Sequence, residues 1–97
     1  MQYNFEWDPA KAKENLRKHR VGFERAAEVF LDPLMISVED ERHSEVEERW
    51  ATLGRDMSSV VLVVIHTFRE IDADNCIIRL ISARRATRRE AKEYAER

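Results

Sequence analysis

Ninety-seven residues make one small domain, able to hold a single sheet with a few helices but no deep two-domain cleft. The hydrophobic share is 43%, the charged share 37%, and two Gly and two Pro leave little room for linkers or low-complexity segments. The formal net charge of −2 argues mildly against nucleic acid as a partner, and the lone Cys76 excludes an internal disulfide and a Cys-based metal cage. The longest apolar run, Val60 to Ile65, is strand-length, and the N-terminus has neither the basic start nor the apolar core of a signal peptide. The expectation is a soluble cytoplasmic protein with no membrane partner.

Tyr3, Phe5 and Trp7 alternate with Asn4 and Glu6, the period of a half-buried strand. Asp8-Pro9 reads as an N-cap followed by Pro at the first helical position. The helix it opens should run to about His19, closing on the cations Lys18 and His19 that suit a C-terminal dipole. Its apolar stripe is thin, essentially Ala12 and Leu16, so it needs a neighbour to be stable. Val21-Gly22 is a break. Phe23, Ala26, Ala27 and Phe30 then repeat at helical spacing until Asp32-Pro33 stops the pattern. A strand from Leu34 to Glu39 and a polar connection from Glu41 to Glu47 should follow. The next strand is expected from Arg49 to Leu53, ending at Gly54, with a turn at Asp56 to Ser58. Val60 to Phe68 is the clearest strand, β-branched almost throughout. A polar hairpin loop from Arg69 to Asn75 should lead to a strand from Cys76 to Ser82. Thr87-Arg88-Arg89-Glu90 fits the capping-box pattern, so the last helix should begin after Thr87. The order predicts an α+β fold: one strand, two helices, four strands in an antiparallel meander, one helix.

Charge is unevenly spread. Glu39 to Glu48 holds six acids against Arg42, whereas Arg79 to Arg97 holds seven bases against Glu90, Glu93 and Glu96. Within the basic part, Arg84, Arg85, Arg88 and Arg89 crowd a strand-to-helix junction. Arg88 and Arg89 sit in the first helical turn, where the dipole disfavours each cation by roughly 0.3–1 kcal/mol. Free helix N–H groups and several guanidinium groups in one place form an anion site, and phosphate is the natural ligand. The blander reading is that these arginines pair with the acidic stretch or face water.

Lys18 and His19 admit a phosphate-binding and proton-transfer role, or simple capping of the helix end. His66 ends one face of a strand and reads as a structural histidine, and His43 lies in a polar loop with no evident role. Tyr3, Phe5, Trp7, Phe23 and Phe30 could stack bases, but their spacings suit a core. Tyr94 could pack on the sheet or border the basic surface. The His residues are far apart, with no His-x-x-x-His or Cys-x-x-Cys, so neither metal nor cofactor is expected. There is no Gly-rich nucleotide loop and no Gly-x-Ser-x-Gly elbow. An enzyme of this composition would stabilise charge with cations. For RNA this means 2′-hydroxyl attack on the neighbouring phosphate, with a general base, a general acid and Arg or Lys on the phosphorane.

The residues also carry a resemblance. Phe5-Glu6-Trp7-Asp8-Pro9-Ala10-Lys11, Asn15-Leu16-Arg17-Lys18-His19, Phe23-Glu24 and Val29-Phe30-Leu31-Asp32-Pro33 closely resemble the opening of BrnT-type toxins. Glu48-Arg49-Trp50, Gly54-Arg55, His66-Thr67, Arg79-Leu80-Ile81-Ser82-Ala83-Arg84 and Ala86-Thr87-Arg88-Arg89-Glu90 continue it over nearly the whole chain. The resemblance implies a RelE-like fold, an antiparallel sheet of about four to five strands with two N-terminal helices and one C-terminal helix. It implies a ribonuclease that arrests translation and growth. It also implies a BrnA-type antitoxin as partner, a DNA-binding dimer that takes up two toxins and links them to operator DNA. Carried onto this chain, the polar positions are Lys18, His19, Arg49, Arg79, Arg84, Arg88, Arg89 and Tyr94. Two departures stand out: the family often has Gly at position 20 and Ser at 22, where this chain has Arg20 and Gly22. Arg20 is then expected to take a positive φ, a mild strain.

The resulting expectation is a metal-independent endoribonuclease toxin yielding a 2′,3′-cyclic phosphate. Lys18, His19, Arg84 and Arg88 would be catalytic, and Arg49, Arg79, Arg85, Arg89 and Tyr94 would bind RNA. The alternative is a module that binds a partner or nucleic acid and cuts nothing. Catalysis through His19 requires the first helix to pack beside the last strand, with His19 and Arg84 on the same sheet edge.

Overall fold

The computed structural model describes residues 1–43 and 47–96. The elements in chain order are β1 (Gln2–Glu6), α1 (Pro9–His19), α2 (Phe23–Ala27) running into a 3₁₀ turn (Glu28–Leu31), β2 (Ile36–Glu39), a 3₁₀ turn (Glu41–His43), β3 (Trp50–Arg55), β4 (Val61–His66), β5 (Arg69–Glu70), β6 (Asn75–Arg85) and α3 (Arg88–Glu96). The six-stranded sheet has the order β1-β6-β4-β3-β2, with β5 pairing to β6. The expected antiparallel meander is β2-β3-β4-β6. The sheet is thus mostly antiparallel, but β1 joins it parallel to β6, in the register Gln2↔Asn75 through Glu6↔Arg79. The long connection between these two strands, which holds α1, α2 and β2 to β5, permits that direction, which a tight hairpin cannot.

Several element ends differ from the expected ones. The expected strand from Val60 to Phe68 stops at His66 and resumes as β5, which pairs Arg69↔Ile77 and Glu70↔Cys76, so part of the expected hairpin loop is strand. β6 is longer than expected at both ends. The second helix tightens to 3₁₀ geometry after Ala27. Of the expected polar connection from Glu41 to Glu47, residues 44–46 lie outside the described residues.

One face of the sheet carries the core. Val21, Phe23, Ala26, Val29 and Phe30 from the helical layer pack on Leu62, Val64, Cys76, Ile78, Leu80 and Ala83. Full burial of a side chain such as Phe23 contributes about 2–3 kcal/mol. Tyr3, Phe5, Trp7, Phe23 and Phe30 belong to the core or pack against it: the Phe30 ring lies 5.7 Å from Tyr3, 5.4 Å from Phe5 and 4.9 Å from His66, and Trp7 meets Phe23 edge-on at 5.9 Å. Gly54 has a packing reason, since a Cβ there would stand 2.6 Å from Val29 Cγ1.

Local signals at helix ends hold. Asp8 accepts a hydrogen bond from Ala10 N–H at 2.8 Å, with Pro9 in the first turn. Arg20 takes φ 60° at the end of α1. In α3 the capping box closes: Glu90 N–H donates to Thr87 Oγ1 at 3.2 Å and Thr87 N–H donates to Glu90 Oε1 at 2.8 Å. The expected stripe of α1 is only half right. Ala12 packs against the core, but Leu16 is 51% exposed and the buried residue of α1 is Asn15.

Candidate functional site

The side of the sheet away from α1 and α2 forms a groove of about 740 Å³. Its floor is apolar, from Ala51, Leu53, Val63, Ile65 and Ile81, and its rim is charged, with Arg49 and Arg84 among Glu39, Asp40, Glu41, Arg42, Glu90 and Glu93. α3 bounds it on one side, packing against β3.

A β-bulge decides which arginine reaches this groove. His66 pairs with Leu80, but the adjacent Ile65 pairs with Ser82, so Ile81 is an extra residue. An extra residue shifts the side-chain alternation by one. Up to Leu80 the even-numbered positions Cys76, Ile78 and Leu80 face the core; after the bulge Ala83 does. Ser82 and Arg84 therefore line the groove, and Arg85, paired with the core residue Leu62, points to the other side and is exposed.

Arg84 is held on the groove wall by Glu90. Its Nη1 donates to Oε1 at 2.7 Å and its Nη2 to Oε2 at 2.9 Å, a bidentate pair. The Arg84 guanidinium outweighs burial and, with the Thr87 N–H, holds the Glu90 carboxyl down at about 2. The same pairing raises Arg84 above its ordinary value. Farther along the sheet, Glu47 lies between two other expected site residues: it pairs with Arg79 through Nη2 and stands 3.6 Å from Arg49 Nη2. The structure thus brings Arg49 and Arg79 together. Glu47 belongs to the acidic stretch that the sequence offered as a partner for arginines, though its pairing with Arg49 and Arg79 in particular was not legible; for Glu90 the only signal was the capping-box spacing from Thr87.

The other expected residues lie elsewhere. Arg88 and Arg89 are exposed in the first turn of α3, with Arg89 Nε 3.6 Å from Glu93. Lys18 pairs with Glu14 at 3.5 Å, and Lys18 and His19 are exposed in the last turn of α1. α1 does pack beside β6. However, its Ala12 packs into the core, whereas Arg84 turns to the groove on the opposite face. Among the described residues no hydrogen bond or ion pair joins His19 to Arg84, so proximity of His19 to the groove has no support.

Tyr94 packs on the sheet: it is 4% exposed, its hydroxyl donates to Asp32 Oδ2, and the Arg55 guanidinium lies 5.5 Å from its ring centroid. Burial raises the Asp32 carboxyl, but hydrogen bonds from Tyr94, Arg55 N–H and Leu34 N–H outweigh it and leave it below the ordinary value. The ring's burial leaves no face for stacking a base.

His66 is a satisfied buried histidine. Its Nδ1 lies 2.9 Å from the Thr67 carbonyl and its Nε2 lies 2.6 Å from Thr52 Oγ1, which is itself 2.7 Å from Ser37 Oγ. A carbonyl only accepts, so Nδ1 carries the proton and Nε2 accepts from Thr52. Burial lowers its pKa, against a smaller opposing effect of the Thr67 carbonyl.

Comparison with known proteins places this arrangement. The family model described as "Ribonuclease toxin, BrnT, of type II toxin-antitoxin system" matches residues 7–90. The chain is similar in fold to the crystal structure of the Brucella abortus ribonuclease toxin BrnT, with a TM-score of 0.59 and 21% identity, covering 91% of this chain and 100% of that one. No curated protein matches the chain. Among the described residues no helix is long and apolar enough to cross a membrane. With the family match spanning all but the two ends, and enclosing β3, β4, β6 and the start of α3 that build the groove, the chain belongs to the BrnT family of ribonuclease toxins of type II toxin–antitoxin systems.

Proposed function

We propose that this protein is a metal-independent endoribonuclease whose RNA lies in the groove on the open face of the sheet. The observation that carries this reading is the groove itself, where Arg49 and Arg84 flank an apolar floor of Ala51, Leu53, Val63, Ile65 and Ile81. Guanidinium groups in such a site bind phosphate oxygens and stabilise the charge that builds up in the transition state. The 2′-hydroxyl attacks the adjacent phosphorus, the 5′-oxygen leaves, and a 2′,3′-cyclic phosphate remains. Arg84 stabilises the phosphorane, and Arg49 and Arg79 hold flanking phosphates. Arg85, Arg88 and Arg89 extend the basic surface around the end of β6 and the start of α3. Lys18 and His19 take part in proton transfer only if the RNA passes round that end, over Arg85 and Arg88.

A type II toxin is opposed by a protein antitoxin. For this chain we assign a BrnA-type dimer that binds two toxins and carries them to operator DNA. Its release would leave the toxin free in the cytoplasm to cleave RNA, stop translation and arrest growth.

Purified protein and a 5′-labelled single-stranded RNA test the reading. Cleavage that survives EDTA, leaves a cyclic phosphate end and is lost in Arg84→Ala supports it. Intact RNA in the presence of folded protein replaces it with a binding module that cuts nothing. His19→Ala tests the proton-transfer role: unchanged cleavage removes His19 from the mechanism.

A further inference from the structure

The Glu90 carboxylate has two sets of partners. One is the cap of α3, the Thr87 N–H at 2.8 Å. The other is the end of the Arg84 guanidinium, bound through both oxygens at 2.7 and 2.9 Å. Capping needs only a neutral acceptor, since Gln serves at this position as Glu does. The cap therefore does not account for the bidentate pair.

The donors of Arg84 can be followed one by one. A guanidinium has five N–H groups. Nη1 donates to Glu90 Oε1 and to the Arg85 carbonyl at 3.3 Å, and Nη2 gives one N–H to Glu90 Oε2. Among the described residues, what remains is the Nε–H and the second N–H of Nη2. These two lie on the same edge of the planar group and form its second fork, whose spacing matches two oxygens of one phosphate. Glu90 thus occupies one fork and leaves the other complete, on a residue that lines the groove.

We infer that Glu90 is a positioning residue: it fixes the Arg84 guanidinium so that its Nε–Nη2 fork is presented to an RNA phosphate in the groove. This rests on the assignment of that groove to RNA. A long, half-exposed arginine otherwise samples many rotamers, and a small misplacement of a catalytic charge is costly in rate. The helix cap and the arginine clamp share one carboxylate, so folding of α3 and orientation of Arg84 occur together.

Four variants and a chemical rescue test this with the full chain and a labelled single-stranded RNA. Glu90→Gln keeps a capping side chain but loses the charged clamp. Its kcat should fall about tenfold with KM within about twofold. Thr87→Ala removes the cap's hydroxyl and leaves the clamp, so its Tm should fall without that loss of kcat. In Arg84→Ala, guanidinium ion at non-denaturing concentration should restore part of the cleavage, seated by the Glu90 carboxylate. In the Arg84→Ala, Glu90→Gln double variant it should restore none. Parent-level kcat in Glu90→Gln beside an inactive Arg84→Ala overturns the inference and leaves the RNA groove standing. So do equal losses of kcat and Tm in Glu90→Gln and Thr87→Ala, or rescue that persists in the double variant. Full activity in Arg84→Ala overturns the assignment of Arg84 and this inference with it.

Discussion

The side chain of Asn15 stands where Ala83 would otherwise need a neighbouring strand. β1 pairs with β6 only as far as Arg79, which leaves the edge beyond it open. There the Asn15 amide donates to the Ala83 carbonyl at 2.8 Å and accepts from the Ala83 N–H at 3.0 Å, as a backbone partner would. The same Nδ2 donates to the Val21 carbonyl at 2.9 Å and so ties the end of α1 to the start of the next segment. A helix with little apolar surface is anchored to the sheet by polar atoms, next to the residue that precedes Arg84.

Replacing Asn15 with Ala should therefore destabilise the fold by about 3 kcal/mol, because three buried backbone groups lose their partners together. Urea unfolding measures this. A loss below about 1 kcal/mol would show that water replaces the amide at little cost.

Tyr94→Phe should lower stability by about 1–2 kcal/mol by removing the hydroxyl from Asp32, and should leave RNA affinity unchanged. Thermal unfolding and RNA titration separate the two effects. Weaker RNA binding at unchanged Tm would move Tyr94 to the RNA surface.

His66 has a depressed folded-state pKa, so the unfolded chain binds its proton first as pH falls. Its stabilising contribution is complete above the unfolded value of about 6.5 and is lost as pH drops through the folded value. Stability should thus decline as pH falls below about 6.5, and His66→Gln should show a flatter profile on that acid side. Parallel profiles in a Tm series against pH would assign the decline to other groups.

Arg20→Gly should stabilise the protein by about 0.5–1 kcal/mol, since φ 60° costs an L-residue more than the added unfolded-state freedom of Gly. Arg20 is exposed, so the change removes no packing. Denaturant midpoints at constant m-value provide the check, and a lower midpoint would reveal a contribution of the arginine side chain.

The Arg88→Ala, Arg89→Ala double variant should bind RNA more weakly and with less salt dependence. For single strands the slope of log K against log salt should shrink by about 0.7 for each phosphate that the variant no longer neutralises. Unchanged slope would place both side chains off the RNA path.

Much of this protein is set by short-range pattern. The two helix starts follow from Asp8-Pro9 and from Thr87 with Glu90, because a cap is made by residues within one turn of each other. The core strands and the aromatic cluster follow from alternation and helical spacing, and the role of His66 follows from its place at the end of an apolar strand face. The arginine-rich segment was visible as a cluster of like charge at a helix start. Which of its members faces the groove was not. Strict alternation from Cys76, Ile78 and Leu80 would have sent Ser82 and Arg84 into the core side; the extra residue at Ile81 reverses this, and it exists only because of how β6 pairs with β4. The parallel seat of β1, the Asn15 amide on the β6 edge, and the Glu47 carboxylate between Arg49 and Arg79 likewise join residues far apart in the chain. Periodicity reports which side of its own element a residue favours. Register, bulges and charge partners are properties of two elements at once, so only the tertiary structure decided that Arg84 faces the groove, clamped by Glu90, while Arg85 does not.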